Sequence, residues 1–223
     1  LSEDRLMTLI DPRAPRSDNL PDRLSGLRDE IRRRLRDHPS EAAQRCAAAL
    51  AELDFTQPSR LAANSPALCR HLTPALAASP LPIAALLADV WPALAWESLD
   101  NDAFPLPVGR HLAIVRLVGP DSMFFHPDLR IGLYLQAPRV FYPNHSHAAE
   151  ELYYVISGAA DWRVADQPPR RLPAGGYSWH RAWDSHAMET HAEPLVAVWT
   201  WTGNIDLETY RMDTPPAGRP HPA

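Results

Sequence analysis

The sequence predicts an α+β protein in which a helical N-terminal region precedes a β-rich C-terminal region. The composition changes near residue 100, from a stretch rich in Ala, Leu and Arg to one rich in Val, Tyr and Trp. At the same point the apolar residues change from a helical spacing to the alternation of β-strands. We therefore expect helices over residues 1–104, an antiparallel sandwich or barrel over residues 105–210, and a disordered tail over residues 211–223.

Three to five helices are expected in the first half. Ser40 follows His38-Pro39 and is a suitable N-cap for the second helix. Further helices are expected around residues 66–77 and 83–96, where Pro74 and Pro92 bend or end them. The apolar stripes of the first two helices are formed by Leu24, Leu27, Ile31 and Leu35, and by Cys46, Leu50 and Leu53.

The second half has the pattern of short antiparallel strands. Its strand-like segments are rich in Val, Ile, Leu, Tyr and Trp and are separated by Gly, Pro or Asp. The clearest segments are residues 111–118, 131–135, 152–157, 160–164 and 195–202.

Composition and charge exclude several functional classes. The chain is 45% hydrophobic and 22% charged, as in an ordinary globular protein, and its net charge is −5. A nucleic acid or an anionic membrane would require a concentrated positive surface, so neither is expected as a partner. All 22 basic residues are Arg, which excludes Schiff-base chemistry on a lysine and a P-loop lysine. The Arg-rich segment 32–36 lies in an electrically balanced region and is interpreted as a salt-bridged helix face.

A cytoplasmic protein is the simplest interpretation. The sequence contains no apolar run of about 18 residues, and its first residues do not have the pattern of a secretory signal. Since the chain begins with Leu, a removed leader is left open. Cys46 and Cys69 lie in Ala-rich surroundings and are expected to be buried and reduced. The oligomeric state is also left open, and a homo-oligomer is one of the possible states.

Candidate metal ligands are concentrated in one short segment. Side chains on a strand alternate between its faces, so His145 and His147 point to the same side. If the register continues, Glu151 and Tyr153 join them, whereas the even-numbered residues 152, 154 and 156 face the opposite layer. Together with a downstream histidine, this set predicts one divalent metal ion, with zinc, iron, manganese, cobalt and nickel all acceptable.

The spacing resembles the first motif of the cupin superfamily of small β-barrels. His145, His147, Glu151 and Gly158 match the pattern His-x-His-x3-Glu-x6-Gly, although Arg139 replaces the glycine that usually opens the motif. The resemblance implies that the second half is a cupin barrel, a double-stranded β-helix or jelly roll.

The third histidine of a cupin site comes from a second motif, commonly Pro-x-Gly-x2-His. This chain has Pro173-Ala174-Gly175, but Ser178 occupies the histidine position. His180 and His186 are therefore both candidates for the fourth ligand.

A denser resemblance covers residues 141–204. The string Tyr142-Pro-x-His-x-His-x3-Glu-x-Tyr153, the segment 183–190 and the ending 199–204 are similar to the cupin dimethylsulfoniopropionate (DMSP) lyases of the DddL and DddQ kind, which also place helices ahead of the barrel. The resemblance implies β-elimination of DMSP to dimethyl sulfide and acrylate. It also implies His186 as the remaining ligand, Tyr153 as the base and Tyr142 as a phenol that helps to orient or share the proton.

The chemistry of this substrate is consistent with such a site. A divalent ion that holds the substrate carboxylate would stabilise an enolate-like transition state and favour a phenolate base. Aromatic rings suit the sulfonium end of a small zwitterion. The candidates for that contact are Trp179, Trp183, Trp199, Trp201, Tyr142 and Tyr177.

Two other classes of function are left open. One is another cupin metalloenzyme, such as an iron-dependent dioxygenase or an isomerase of sugars or small acids. The other is a non-catalytic sensor of a small ligand. Tyr142 and Tyr153 on the metal face favour the lyase, because a simple dioxygenase has no evident need for them, but the fold alone does not decide.

Overall fold

The structure is a computed structural model that describes residues 19–59, 66–101, 104–105 and 108–212. The predictions for residues 1–18 and 213–223 lie outside the described residues. Within these ranges, no helix is both long and apolar enough to cross a membrane.

Four α-helices form the N-terminal part of the described chain: α1 (Leu20–Asp37), α2 (Glu41–Glu52), α3 (Leu72–Ala78) and α4 (Pro82–Val90). The predicted apolar stripe of α1 is buried. Ser40 caps α2, since its Oγ accepts a hydrogen bond from the Ala43 amide at 3.3 Å. In α1 the buried Glu30 accepts hydrogen bonds from Arg33 and Arg34 at 2.7–2.9 Å, so this part of the Arg-rich segment is paired.

The two proline-containing helices are shorter than predicted. A 3₁₀ turn, Ala67–His71, leads into α3, and Pro74 lies in the first turn of α3, where its missing N–H is tolerated. Helix α4 ends at Val90 because Pro92 lies in a 3₁₀ turn, after which the chain enters the first strand.

The rest of the described chain is mainly β-structure, and each of the five predicted strand segments is a strand. The strands are β1 (Trp96–Ser98), β2 (Asp100–Asn101), β3 (Phe104–Pro105), β4 (Leu112–Gly119), β5 (Phe124–Phe125), β6 (Leu129–Gln136), β7 (Phe141–Ser146), β8 (Ala149–Ser157), β9 (Ala159–Val164), β10 (Arg170–Pro173), β11 (Tyr177–His180), β12 (His186–Thr190), β13 (Leu195–Gly203) and β14 (Arg211–Met212).

These strands form a sandwich of two sheets. The larger sheet has the order β1-β4-β6-β13-β8-β11, with β5 parallel to β4 at its side. The smaller sheet has the order β10-β9-β12-β7-β14, and β2 and β3 form a separate ribbon. Strands β7 and β8 follow each other in the chain but belong to different sheets, so the turn between them links the two layers.

The helices cover the outer face of the larger sheet. Helices α2 and α3 contact β8 and β13. Two short hydrogen bonds fix α3 and the turn after it: the Ser157 hydroxyl donates to the Ala75 carbonyl and the Ser79 hydroxyl to the Ile156 carbonyl, both at 2.6 Å. Helices and strands share one continuous set of buried apolar side chains.

Two predicted boundaries need comment. β1 pairs with β4, so the sheet begins at Trp96, ahead of the expected change at residue 104; the division into regions there stays a prediction. The expected disordered tail was placed too early, because Arg211 and Met212 pair with β7 as strand β14. Pairing with the Ser146–His145 end of β7 holds them in place.

Candidate metal centre

Four buried side chains from both sheets converge at one end of the sandwich. His145 is the last residue but one of β7, His147 lies in the turn that follows this strand, Glu151 is on β8 and His186 begins β12. β12 pairs with β7, and His186 is the register partner of His145. All four residues are at most 3% exposed. The two imidazoles and the carboxylate all point into the interior, as predicted, but they reach it from two facing sheets and the turn between them rather than from one face of a single strand.

Three of the four predicted ligands form a tight group. The ligand atoms of His147, Glu151 and His186 all lie within 4.8 Å of one another. Oε2 of Glu151 is 3.3 Å from Nε2 of His147 and 3.0 Å from Nε2 of His186. His145 packs beside this group, with its ring centroid 4.1 Å from that of His186 and 6.4 Å from that of His147.

Backbone carbonyls set the tautomer of each histidine. Nδ1 of His145 lies 2.8 Å from the Pro143 carbonyl, Nδ1 of His147 lies 3.0 Å from that of Ala149, and Nδ1 of His186 lies 2.8 Å from that of Asp184. A carbonyl can only accept, so each Nδ1 carries the proton and each neutral ring keeps a lone pair on Nε2. This arrangement is the usual one for histidines that bind a metal.

The donor set fits a divalent cation. Two lone pairs, on Nε2 of His147 and of His186, point at an ionised carboxylate, which is repulsive unless a positive charge lies between them. Nε2 of His186 is buried, and among the described residues it has no hydrogen-bond partner, although it lies 3.0 Å from Glu151 Oε2. Two imidazoles and a carboxylate are a ligand set found at catalytic zinc sites.

The carboxylate of Glu151 is ionised and held at both oxygens. Burial would raise its pKa, but the surrounding histidines, which favour the charged form, hold the pKa of this carboxyl well below its usual range. Trp201 Nε1 donates to Oε1 at 2.7 Å, and Nδ1 of His180 lies 3.2 Å from Oε2. Burial and the nearby His186 lower the pKa of His145 well below its ordinary value and that of His180 to about 4, so both rings are neutral at physiological pH.

A cavity of about 370 Å³ opens beside this cluster. Burial, with the Glu151 carboxylate nearby, raises the pKa of the Tyr153 phenol well above its ordinary value. Burial also raises the pKa of Tyr142, whose hydroxyl lies 2.6 Å from that of Tyr210. Most of the wall is aromatic or charged: Tyr134, Tyr142, Tyr153, Trp199, Trp201, Tyr210, His145, His147, Glu151, Glu208, Arg116 and Arg130.

The structure places three predicted substrate contacts away from the cavity wall. Tyr177 and Trp179 lie on the outer face of β11, where Tyr177 donates to the Arg34 carbonyl at 2.7 Å and Trp179 to Glu150 at 2.6 Å. Trp183 is 48% exposed and stacks with Arg211. Strand alternation explains the outward placement of Tyr177 and Trp179, since the inward positions of β11 are the even-numbered ones.

Trp199 and Trp201 do line the cavity, and both have the parity of the metal face. On β13 Trp199 is the register partner of Tyr153, and Trp201 is that of Glu151. Gly132 on the neighbouring strand β6 makes room for Trp199, because a Cβ at Gly132 would lie 2.5 Å from the indole Nε1.

Several lining residues were missed by the sequence analysis. Tyr210 reaches the cavity from the segment after β13, and its ring stacks on His145 at 5.3 Å. Tyr134 on β6 stacks edge-on against Tyr153 at 5.6 Å. Neither belongs to a motif, and only the parity of β6 could have indicated Tyr134.

Comparisons with known proteins agree with this geometry. A family model described as dimethylsulfoniopropionate lyase matches residues 38–197, which is more than half of the chain. The chain is 34% identical over 102 residues to dimethylsulfoniopropionate lyase DddQ of Ruegeria pomeroyi, an alignment that covers 46% of this chain and 50% of that protein. The chain thus spans about half the length of this curated relative.

Two solved structures share the fold. One, from crystal structures of the DMSP lyases RdDddP and RnDddQII, superposes with a TM-score of 0.67 at 23% identity and covers 87% of this chain and 100% of that chain. The crystal structure of DMSP lyase DddQ from Ruegeria pomeroyi gives a TM-score of 0.63 at 21% identity, over 89% of this chain and 99% of that chain. The predicted α+β fold class, helices followed by a mainly antiparallel two-sheet β-domain, is confirmed. With the family match over residues 38–197, the chain belongs to the dimethylsulfoniopropionate lyase family.

Proposed function

We propose that this protein is a metal-dependent carbon–sulfur lyase that cleaves DMSP to dimethyl sulfide and acrylate. The observation that carries the proposal is the buried His147–Glu151–His186 group, of which His147 and Glu151 line a cavity together with several tyrosines. Membership of the family indicates the substrate, and the residues of the site have the chemistry that a β-elimination requires.

His147, Glu151 and His186 are proposed to hold one divalent ion. His145 stays a prediction as the fourth ligand. Its Nδ1 faces the Pro143 carbonyl in the same way as Nδ1 of each of the other two histidines faces a carbonyl, which leaves its Nε2 for a metal. Its ring, however, lies to one side of the group. When bound, the ion would neutralise the substrate carboxylate and withdraw charge from the carbon beside it. Zinc, iron, manganese, cobalt and nickel all accept this donor set.

Tyr153 is proposed as the base. In the reaction its phenolate takes the proton from the carbon next to the carboxylate, the C–H electron pair forms the C=C bond, and the C–S pair leaves with neutral dimethyl sulfide. Burial alone keeps Tyr153 protonated, because it raises the pKa of the phenol. The positive charges of a bound ion and of the substrate sulfonium would favour the phenolate.

Tyr142 is proposed to assist the base. Its ring stacks on His145 with centroids 4.2 Å apart, and its hydroxyl is hydrogen-bonded to Tyr210 at 2.6 Å. This hydroxyl pair can accept and pass on a proton at the cavity wall. The indoles of Trp199 and Trp201 lie at the same wall and are proposed to contact the sulfonium.

The test is release of dimethyl sulfide into the headspace from purified protein and DMSP, with and without a chelator. The proposal predicts equal amounts of dimethyl sulfide and acrylate, loss of both with the chelator, and recovery after a divalent metal is restored. Stoichiometric bound metal without sulfide release would contradict the lyase and favour a dioxygenase or an isomerase.

We also infer a cytoplasmic enzyme that acts on a small zwitterion. Cys46 and Cys69 are buried free thiols, as a reducing compartment allows. A homo-oligomer stays a prediction, which size-exclusion chromatography with light scattering tests.

A further inference from the structure

Glu151 is held from both sides by residues of neighbouring strands, and neither of these residues belongs to the proposed ligand set. β8 lies between β13 and β11. Glu151 is the register partner of Trp201 on one side and of His180 on the other. Trp201 donates to Oε1 at 2.7 Å, and Nδ1 of His180 lies 3.2 Å from Oε2. Each carboxylate oxygen therefore has its own neighbour.

The contacts of His180 are reversed relative to those of the candidate ligands. In His147 and His186, Nδ1 faces a backbone carbonyl and Nε2 is left for a metal. In His180, Nε2 lies 2.8 Å from Oγ of Ser178, and Nδ1 faces the carboxylate. An ionised carboxylate accepts only, so the proton belongs on Nδ1, and the Ser178 hydroxyl donates to Nε2. Both nitrogens of His180 are thereby used, and neither offers a lone pair to a metal.

The alternation of side chains along β11 places Ser178 and His180 on the same face of the strand. Ser178 and His180 are two residues apart and both point inward, with 2% and 0% of their surfaces exposed. The His180 ring also stacks on His186 at a centroid distance of 4.0 Å. Ser178 occupies the position where the cupin pattern commonly has a histidine ligand. In this chain that position supports a neighbouring imidazole.

We propose that Ser178 and His180 are positioning residues that orient Glu151 for the metal. Ser178 fixes the tautomer of His180, and the Nδ1–H of His180 holds Oε2 beside Nε2 of His147 and of His186. This inference rests on the metal site of the proposed function, but it does not depend on the identity of the substrate. Outer hydrogen bonds of this kind are typically worth 10–100-fold in metal affinity.

The test compares zinc binding by four variants of the full chain. His180→Leu removes the donor, His180→Asn restores a donor near the position of Nδ1, and Ser178→Ala removes only the hydroxyl. His191→Leu is the matched control, because His191 is an exposed histidine that pairs with Asp161 at 2.9 Å. Each protein is stripped of metal and titrated with Zn²⁺ against a chromophoric chelator, and the melting temperature of the metal-free form is recorded.

We expect His180→Leu to weaken zinc binding by about 10–100-fold. Ser178→Ala should show a smaller loss in the same direction, His180→Asn should recover most of the affinity, and His191→Leu should match the wild type. If His180→Leu does not fold, Ser178→Ala and His180→Asn decide the question.

Three results would overturn the proposal. The first is an unchanged zinc affinity in His180→Leu and Ser178→Ala, whatever their melting temperatures, which would make the pair structural. The second is complete loss of zinc in His180→Leu, which would make His180 a ligand. The third is a wild-type chain that binds no zinc. A wild type that binds zinc but releases no dimethyl sulfide would contradict the lyase and leave the positioning role intact.

Discussion

The two faces of β8 place neighbouring tyrosines in opposite environments. Tyr153 points inward, where its ring contacts Tyr134 and Trp162 at 5.6 and 4.9 Å and its phenol faces the Glu151 carboxylate. Tyr154 points outward, against Tyr177 and the guanidinium of Arg34 on α1. The residue type is the same, but only the inner phenol borders the cavity. Strand parity therefore determines which side chains of the sheets can take part in chemistry at the cavity.

The same contrast recurs at two other places. On β8 Glu151 faces three histidines, whereas Glu150 accepts a hydrogen bond from Trp179 at the surface. On β11 His180 is buried beside Glu151, whereas Trp179 is exposed. Each inward residue therefore has an outward neighbour that serves as its matched control.

Replacing the central carboxylate should have the largest effect. Glu151→Gln keeps the size of the side chain but removes the negative charge that two imidazole lone pairs face, so we expect bound metal and sulfide release to fall to background. Glu150→Gln should retain both. Elemental analysis of the purified proteins and the headspace assay measure these quantities. Full metal content in Glu151→Gln would contradict the assignment of the ligands.

Removing the inner phenol should have the next largest effect. Tyr153→Phe is expected to lower kcat by about 10²–10⁴-fold, the usual contribution of a general base, while the metal content is retained. Tyr154→Phe should change kcat by less than about 2-fold, because the outer phenol does not border the cavity. Steady-state kinetics with elemental analysis provides the measurement. Unchanged turnover in Tyr153→Phe would remove it from the mechanism, and loss of metal would instead make it a ligand or a structural residue.

Loss of the assisting hydroxyl should have a moderate effect. Tyr142→Phe breaks the hydrogen bond to Tyr210 inside the cavity, and we expect kcat/KM to fall by about 10-fold, the equivalent of one hydrogen bond. Tyr177→Phe removes a hydroxyl that donates to the Arg34 carbonyl outside the cavity, and it should leave kcat/KM unchanged. An equal loss in the two variants would assign the effect to stability rather than to the cavity.

Shortening a buried side chain of a helix should have the smallest effect on turnover. Ile31 is fully buried in α1, so Ile31→Ala is expected to lower the free energy of unfolding by about 2–5 kcal/mol. The zinc affinity and kcat of the folded protein should not change. Glu52→Ala, at an exposed position of α2, is the control and should change stability by less than about 0.5 kcal/mol. Chemical denaturation measures stability and steady-state kinetics measures turnover. Together they test whether packing on the helix-covered side can change without an effect at the cavity.

Local patterns were sufficient to predict helices α1 and α2 and five of the strands. The α1 stripe, the Ser40 cap and the five strand segments follow from spacing that neighbouring residues set. The boundaries were less certain where proline was involved, because Pro92 ends α4 while Pro74 is tolerated in the first turn of α3.

The centre of the site was predictable for the same reason. His145, His147 and Glu151 are close in sequence, and the short turn that links β7 to β8 brings them together from the two facing sheets. His186 required the family resemblance, since nothing local distinguishes it from His180. What separates them in the structure is the atom that each nitrogen faces: a carbonyl for Nδ1 of His186, and Ser178 for Nε2 of His180.

The aromatic wall was the least predictable part. Contacts of Tyr210 with Tyr142 depend on how the segment after β13 returns across β7, which no local pattern specifies. Trp179 and Tyr177 are aromatic like the residues of the cavity wall, but they occupy the outward-facing positions of β11. Composition indicated that aromatic residues are abundant, and only the register determines which of them reach the cavity.

The most direct measurement is anomalous X-ray diffraction from crystals of the protein loaded with zinc, recorded on both sides of the zinc absorption edge. We expect one strong peak between the sheets, about 2.0–2.2 Å from Nε2 of His147, Nε2 of His186 and a carboxylate oxygen of Glu151, with His180 outside the coordination sphere. Absence of a peak there at saturating zinc, or a peak bonded to His180 in place of His186, would contradict the proposed metal centre.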